Sequence, residues 1–380
     1  MIAQITSRER MLAALRRQPV DYVPCCPFFS ASLKGPQYTW QSRADSLDRI
    51  VNGLGLDGVV VVSLNESWHP DVTTRLWTES RAGEPWPILH KEISTPRGPL
   101  TAAIRVTDDL EHPNDIPLNS DWNVSRFVKP WLQTLEDVER YRYVHLLPSD
   151  EEIARARESF AAARKVADQY GVITYAPCGM GLTSAIQLFG PAQAIMLSMD
   201  APEIIERFLE IDHAATMRRA EVLADLGADV ICRNGFYETT DFWSPSQIRR
   251  FLVPRLKEEI EVMRCGGAAV TYTVCTGIMP MLDILAELDF DGYFSIEPAL
   301  GNQDMRVVAA RLCDRHAIWG GVSGPIHIGE GTPQIARQAV RDALAIFGQR
   351  GLILSAIPSI RAHWPWKNAL AMFDEWRRIR

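Results

Sequence analysis

Residues 269–298 read AVTYTVCTGIMPMLDILAELDFDGYFSIEP, and this stretch decides the fold. Its first part, 269–275, is a short run of β-branched and aromatic residues, and 293–297 is a second such run. Between them, 279–288 has the apolar spacing of a helix. Both short runs are almost continuously apolar, which is typical of parallel strands that helices cover on both faces. The stretch therefore predicts a strand, a helix and a second parallel strand.

The same alternation extends along the chain in both directions. Eight short apolar runs, separated by helical patterns, cover 22–29, 58–63, 172–177, 229–233, 269–275, 293–297, 317–321 and 352–356. This arrangement predicts an α/β fold, a (β/α)₈ TIM barrel. A doubly wound open sheet is the alternative, because strand order cannot be read from a sequence. An N-terminal helix comes first, and Thr6 with Glu9 gives it a capping box.

One long segment interrupts the alternation. Residues 66–130 are rich in proline and have no long helical period. We interpret them as a long irregular insertion after strand two, with a β-hairpin around 93–106 that turns at PRGP (96–99). Long loops in a barrel usually form lids or walls of the active site. We expect residues 1–380 to be a single barrel domain, with 66–130 forming part of the active-site mouth.

Composition excludes several classes of protein. Among 380 residues there are 40 Lys and Arg and 47 Asp and Glu, which gives a net charge of −7 and argues against a nucleic-acid partner. No run of about eighteen uncharged apolar residues is present, so we expect no membrane span. The N-terminus does not resemble a signal peptide, and seven scattered cysteines do not form a disulfide framework. We therefore expect a cytoplasmic protein.

Candidate site residues follow the predicted strands, because the active site of such a barrel lies at the C-terminal ends of its strands. Cys275 and Glu297 end consecutive strands and should be neighbours. Thiolate and carboxylate are both zinc ligands, and a third ligand would leave one coordination position open for substrate. The alternative is that Cys275 is a small core residue and Glu297 a salt-bridged residue at the rim.

Other polar residues fall at the same end of the predicted barrel. Tyr237, Glu238 and His327 are candidates for orienting a substrate or delivering a proton. Arg233 and Asn234 are candidates for binding a cofactor, and His363 for binding a metal. Asn65 and Glu66 follow the second strand. Each could instead be a rim residue without a chemical role. The tryptophans and the Phe28–Phe29 pair suit a cavity for an apolar or aromatic ligand.

The chain resembles the uroporphyrinogen decarboxylase superfamily over nearly its whole length. The resemblance rests on short motifs in a fixed order: SRERM (7–11), LRRQPVDYVP (15–24), TPRGPL (95–100), FWSP (242–245), GEGTP (329–333) and PWKN (365–368). It implies a (β/α)₈ barrel with its cavity at the strand C-termini. The superfamily contains cofactor-free decarboxylases of tetrapyrrole carboxylates and zinc-dependent methyltransferases that work with corrinoid proteins.

The resemblance is closer to the methyltransferase branch. The decarboxylase branch has an arginine-rich segment after strand one, whereas residues 26–35 here contain no arginine. The methyltransferase branch has a His-x-Cys after strand five, a Glu after strand six and a Cys after strand eight. Cys275 and Glu297 match two of these ligands, but Thr273 and Pro358 stand at the other two positions, with His363 as the nearest substitute.

The resemblance implies a methyltransferase that moves a methyl group from a small methylated substrate, plausibly an aryl methyl ether, to a corrinoid with the help of zinc. The corrinoid would be free or carried by a partner protein. A metal-free decarboxylase or lyase that holds a small carboxylic acid with Arg233 or Arg361 is the alternative. A corrinoid- or tetrapyrrole-binding protein without enzymatic activity is a third possibility.

Overall fold

The computed structural model describes residues 5–31, 37–64 and 66–380. The strands are β1 Phe29–Ser30, β2 Val59–Val61, β3 Thr73–Glu79, β4 Ile88–Thr95, β5 Gly98–Arg105, β6 Phe127–Lys129, β7 Ile173–Cys178, β8 Val230–Asn234, β9 Ala269–Thr273, β10 Gly292–Phe294, β11 Ala317–Ser323, β12 Leu352–Ile357 and β13 Ile360–Arg361. The helices are α1 Ser7–Leu15, α2 Arg43–Leu47, α3 Asp121–Val124, α4 Leu135–Tyr141, α5 Asp150–Tyr170, α6 Gly181–Phe189, α7 Pro191–Asp200, α8 Pro202–Asp225, α9 Pro245–Gln247, α10 Val253–Arg264, α11 Leu282–Glu287, α12 Met305–Leu312, α13 Pro333–Phe347 and α14 Trp366–Ile379.

The main sheet is parallel and barrel-like. Its order is β12-β11-β10-β9-β8-β7-β2, so consecutive strands of the alternating pattern are neighbours, as the barrel prediction requires. The extended segment before β1 joins the two edges. The amide of Cys26 donates to the Leu354 carbonyl at 2.9 Å, and the amide of Asp57 donates to the Cys25 carbonyl at 2.9 Å. A doubly wound sheet would leave both edges apart, and it is not what the chain forms.

Residues within 66–130 are more regular than the proline content suggested. Strands β3, β4, β5 and β6 form a four-stranded antiparallel sheet, which corrects the expectation of an irregular insertion. Most of the prolines lie outside the strands. Buried and less buried residues alternate along most of β4, as expected for a sheet with one covered face. The hairpin between β4 and β5 pairs Thr95 with Gly98, and residues 96 and 97 form its turn.

The barrel interior is filled by aromatic side chains. The ring of Phe28 lies 5.3 Å from the rings of both Tyr175 and Phe294, and 5.6 Å from that of Trp319. Phe29 instead packs at the rim, against Tyr38 and aromatic residues of α14. Both phenylalanines therefore take part in aromatic packing clusters.

The helices surround the sheet. Thr6 caps α1, and its side chain and that of Glu9 form the expected capping box. In the described part of the chain, no helix is both long and apolar enough to cross a membrane.

Candidate active site

Cys275 and Glu297 lie side by side at the C-terminal ends of neighbouring strands. β9 pairs with β10 in parallel, and beyond the paired residues the amide of Glu297 donates to the carbonyl of Cys275 at 3.2 Å. The side-chain amide of Gln303 donates to both backbone carbonyls, at 3.1 Å for Cys275 and 2.7 Å for Glu297. Gln303 thus fixes the two residues relative to each other, and no sequence pattern had indicated it.

The turn that leads to Glu297 is strained. Ser295 has a φ of 75°, a backbone conformation that a non-glycine residue rarely adopts. Its amide remains bonded to the Trp319 carbonyl at 3.2 Å. Strain of this kind persists only where the surrounding structure enforces it, and it is common at functional sites. Here the backbone conformation of Ser295 changes the direction of the chain between the end of β10 and Glu297.

The pKa of each side chain is raised. Burial, together with the smaller effects of the nearby charges of Glu297 and Asp241, raises the pKa of the Cys275 thiol to about 12. Burial also raises the pKa of Glu297, although the Ala299 amide donates to its carboxylate at 2.9 Å and opposes the shift. Glu297 is only 1% exposed. The pair is therefore suited to holding and delivering protons rather than to presenting a thiolate.

Tyr237 contacts a residue that the sequence analysis missed. Its hydroxyl donates to the carboxylate of Asp121 in α3, and the Gln187 side chain donates to the same carboxylate. Burial raises the pKa of both Tyr237 and Asp121, and Cys275 is close enough to add to the shift of Tyr237. Asp121 lies within residues 66–130, the segment that we expect to form part of the mouth.

Arg233 and Glu238 do not have the surroundings of ligand-binding residues. Arg233 is 1% exposed, and its guanidinium donates to Glu238 at 3.1 Å and to Glu259 of α10 at 2.6 Å. Glu238 is fully buried and also accepts from the Leu182 amide at 2.8 Å and from the Tyr272 hydroxyl at 2.6 Å. Burial raises the pKa of Glu238 to about 7. Because every partner is internal, these two residues stabilise the first turn of α6, and the geometry does not support their predicted catalytic and cofactor-binding roles.

The remaining candidates are dispersed. Asn234 borders a cavity of about 210 Å³ between the ends of β7 and β8 and helix α8, together with Glu66 and His145. His327 accepts from the Ser323 amide at 3.0 Å and lines a separate groove between α12 and α13, where burial lowers its pKa. His363 is exposed, and its ring lies 5.8 Å from the ring of Trp364. Asn65 lies outside the described residues.

The side chains present do not fit a zinc ion. Cys275 and Glu297 meet as predicted, but His363 is not with them, and no group of three His, Cys, Asp or Glu side chains among residues 5–31, 37–64 and 66–380 could hold a metal ion. Thr273 is buried and its hydroxyl lies 3.2 Å from the Cys232 sulfur, so it is not available as a substitute ligand. A structural or catalytic zinc site takes at least three protein ligands, and only two are assembled here.

Comparisons with known proteins agree with this architecture. The family model described as uroporphyrinogen decarboxylase (URO-D) matches residues 120–379. Methylcobamide:CoM methyltransferase MtaA of Methanosarcina barkeri is 25% identical over 146 residues, which are 38% of this chain and 41% of that protein. The chain thus matches less than half of the length of this curated relative.

Two solved structures share the fold. A methyltransferase from Methanosarcina mazei has a TM-score of 0.61 at 19% identity, with 98% of this chain and 99% of that chain covered. A B12-independent methionine synthase from Shewanella sp. W3-18-1 in complex with selenomethionine has a TM-score of 0.50 at 10% identity, with 94% and 96% covered. At these identities the likeness concerns the fold alone. Since the family model covers well over half of the sequence, this chain belongs to the uroporphyrinogen decarboxylase (URO-D) family.

Proposed function

We propose that this protein transfers a methyl group from a small methyl ether, an aryl methyl ether, to a corrinoid. The matched stretch of a methylcobamide:CoM methyltransferase supports methyl transfer. The observation that carries the proposal is the Cys275–Glu297 pair at the mouth of the barrel, where burial raises the pKa of both groups. An ether is a poor methyl donor unless its oxygen receives a proton, and this pair can supply one.

The reaction balances with groups of this chain. A reduced corrinoid, present as a co-substrate either free or on a partner protein, supplies the electron pair that forms the new bond to the methyl carbon. The bond between that carbon and the ether oxygen breaks, and its electrons stay on the oxygen. We assign Glu297 as the residue that gives the oxygen its proton, so that a neutral phenol leaves.

Zinc has no part in this proposal. A zinc ion could stabilise the leaving oxygen as a Lewis acid, but the donor set of the described residues does not fit one. Protonation by Glu297 performs the same task, because both lower the negative charge that develops on oxygen. We expect protein prepared without added metal to contain far less than one zinc per chain by elemental analysis and to keep its activity in chelator. One tightly bound zinc per chain, with activity lost on its removal, would contradict this.

Decarboxylation is the second candidate. The family description favours it, and a half-buried arginine at the mouth, Arg361, has the charge to hold a carboxylate. Decarboxylation would release carbon dioxide without any corrinoid, whereas methyl transfer needs the corrinoid and leaves carboxyl groups intact. The two candidates are therefore separable in one reaction mixture.

The test follows the spectrum of cob(I)alamin mixed with the protein and a series of methoxyarenes under anaerobic conditions. Conversion to methylcobalamin supports the proposal, and carbon dioxide release without that conversion supports the alternative. Glu297→Gln should lower the rate by about 100-fold, the usual contribution of a general acid, with a smaller loss for nitro-substituted ethers whose phenols leave more easily. Glu330→Gln, at an exposed glutamate after β11, is the matched control. Equal losses across the ether series would refute proton delivery by Glu297.

A further inference from the structure

Arg361 is half-buried, and its guanidinium has no ion-pair partner among the described residues. It ends β13 at the mouth of the barrel, and its guanidinium makes no ion pair or hydrogen bond with any residue that the structure describes. The undescribed residues are Met1–Gln4, Ser32–Pro36 and Asn65, and none of them is acidic. Arg233, by contrast, has its guanidinium enclosed by Glu238 and Glu259. The donors of Arg361 are therefore available to a ligand.

The backbone around Arg361 is held in place on both sides. β13 pairs with β1 in parallel, with Arg361 opposite Ser30. The Tyr38 hydroxyl donates to the carbonyls of Ser30 and Ile360, at 2.7 and 2.9 Å. The Ala362 amide donates to the Ser30 carbonyl at 3.0 Å, and the Gln37 amide donates to the Ala362 carbonyl at 2.7 Å. A binding group on a fixed backbone loses little conformational entropy when it engages a ligand.

The side chain of Arg361 lies beside the candidate active site. Its guanidinium carbon is 5.7 Å from the centre of the Trp364 ring, a cation–π arrangement that leaves the N–H groups free. It is also close enough to Asp121 to lower the pKa of that carboxyl, against the larger effect of burial. Asp121 in turn accepts a hydrogen bond from Tyr237, which is one of the candidate site residues. Arg361 thus lies on the side of the mouth where Asp121 and Tyr237 are found.

We propose that Arg361 binds a carboxylate of the substrate, so that the substrate is a methoxy-substituted aromatic acid rather than a neutral ether. A guanidinium fork matches a carboxylate with two parallel hydrogen bonds. The Trp364 ring provides an apolar wall next to this fork, which suits an arene that carries the acid. This inference rests on the proposed function only for the methoxy group of the substrate, and not for its carboxylate. The carboxylate takes no part in the reaction and stays in the product.

Binding of benzoate, compared with its neutral isostere benzamide, tests the role of Arg361 without any methyl transfer. By calorimetry with the full chain, we expect benzoate to bind at least about tenfold more tightly than benzamide, because a charge-assisted pair contributes more than a neutral one. Arg361→Gln should reduce that preference to less than about twofold, and Arg361→Lys should keep part of it. Arg157→Gln, at an exposed arginine of α5, is the matched control and should change nothing.

Each outcome decides the proposal. Equal binding of the two ligands to the unaltered protein, no binding of either, or a preference that survives Arg361→Gln would overturn it. The denaturation midpoint of each variant shows that it is folded, and Arg361→Lys keeps the charge if the glutamine variant is unstable. Failure of the proposed function is seen separately, because benzoate would then bind through Arg361 while methoxybenzoates give no methylcobalamin.

Discussion

At the scale of single residues, burial decides which ionisable side chains can do chemistry. Glu297 is buried and Cys275 is half-buried next to it, and the charge of Glu297 disfavours a charge on the Cys275 thiol. A thiol kept neutral is a poor nucleophile, because nucleophilic attack needs the thiolate. The surroundings of this pair are therefore compatible with the proton delivery that we propose for Glu297.

Removing the charge of Glu297 should make the Cys275 thiol more acidic. In Glu297→Gln we expect the midpoint for alkylation of Cys275 to move to lower pH by about one unit, since a neighbouring carboxylate no longer opposes the thiolate. Residue-resolved mass spectrometry after short alkylation pulses at a series of pH values measures this. Cys265, which is exposed, is an internal control within the same protein. An unchanged midpoint for Cys275 would show that the two side chains do not interact.

His145 should make the fold sensitive to acid. Burial, with a smaller effect of Arg219, lowers its pKa to about 3 from 6.5. Below pH 6.5, His145 binds a proton in the unfolded chain but not in the folded chain. The free energy of unfolding therefore falls as the pH is lowered from 6.5 towards 3. Between pH 6.5 and 4.5, the free energy of unfolding should fall by about 2 kcal/mol more in the unaltered protein than in His145→Gln. Urea titrations at both pH values measure it.

The matched control for His145 is the exposed His363. His363→Gln should reproduce the pH dependence of the unaltered protein. If His145→Gln and His363→Gln behave alike, His145 is not held neutral in the folded chain.

At the scale of elements, the N-terminus of α6 depends on a buried ion pair. Gly181 has a φ of 46°, and a Cβ placed on it would lie 2.6 Å from Oε1 of Glu238 and would also collide with Arg233. Glu238 in turn accepts from the Leu182 amide, one of the free amide donors in the first turn of the helix. The pair and the helix start therefore form one unit, and that unit explains why Glu238 and Arg233 are absent from the site.

A glycine-to-alanine comparison tests this unit. Gly181→Ala should lower the free energy of unfolding by at least about 3 kcal/mol, because it separates a buried ion pair. Gly227→Ala has a similar backbone penalty, with a φ of 73°, but its Cβ would meet nothing within 4 Å. We expect it to cost only about 1 kcal/mol. Equal costs by chemical denaturation would mean that Gly181 matters for its backbone conformation alone.

Sequence reasoning located the strands better than the partners of individual side chains. The apolar runs placed Cys275 and Glu297 on neighbouring strand ends because parallel strands repeat a simple pattern. Arg233 and Glu238 were assigned to the site from the same pattern, and this was not supported because Glu259 supplies a partner from a distant helix. Asp121 was missed for the converse reason: it lies between two strands of the antiparallel sheet, β5 and β6, and no local spacing connects it with Tyr237.

At the scale of the whole molecule, the barrel is closed by a short segment without regular strand structure. The carboxylate of Asp57 accepts from the Cys25 amide at 2.9 Å and from Arg10 at 2.8 Å, while its own amide donates to the Cys25 carbonyl. Both Asp57 and Arg10 are buried. The N-terminal helix thus secures the point where the first segment meets β2.

Removing Asp57 should therefore destabilise the whole domain. Asp57→Ala leaves Arg10 with one fewer partner and the Cys25 amide unpaired, so we expect a loss of about 3–5 kcal/mol in the free energy of unfolding. Asp225→Ala changes an exposed aspartate of α8 that forms no ion pair with the described residues, and it should cost less than about 0.5 kcal/mol. A small effect of Asp57→Ala would show that closure does not depend on this contact.

The fate of one labelled carbon tests the central claim most directly. NMR follows a single turnover of the metal-depleted protein. The substrates are reduced cobalamin and a methoxybenzoate that carries ¹³C in its methoxy group. We predict that the label moves to the cobalt-bound methyl group while the product keeps its carboxylate as a hydroxybenzoate. A label that remains in the methoxy group, together with released carbon dioxide, would contradict methyl transfer, and transfer only after zinc is restored would contradict its metal-free form.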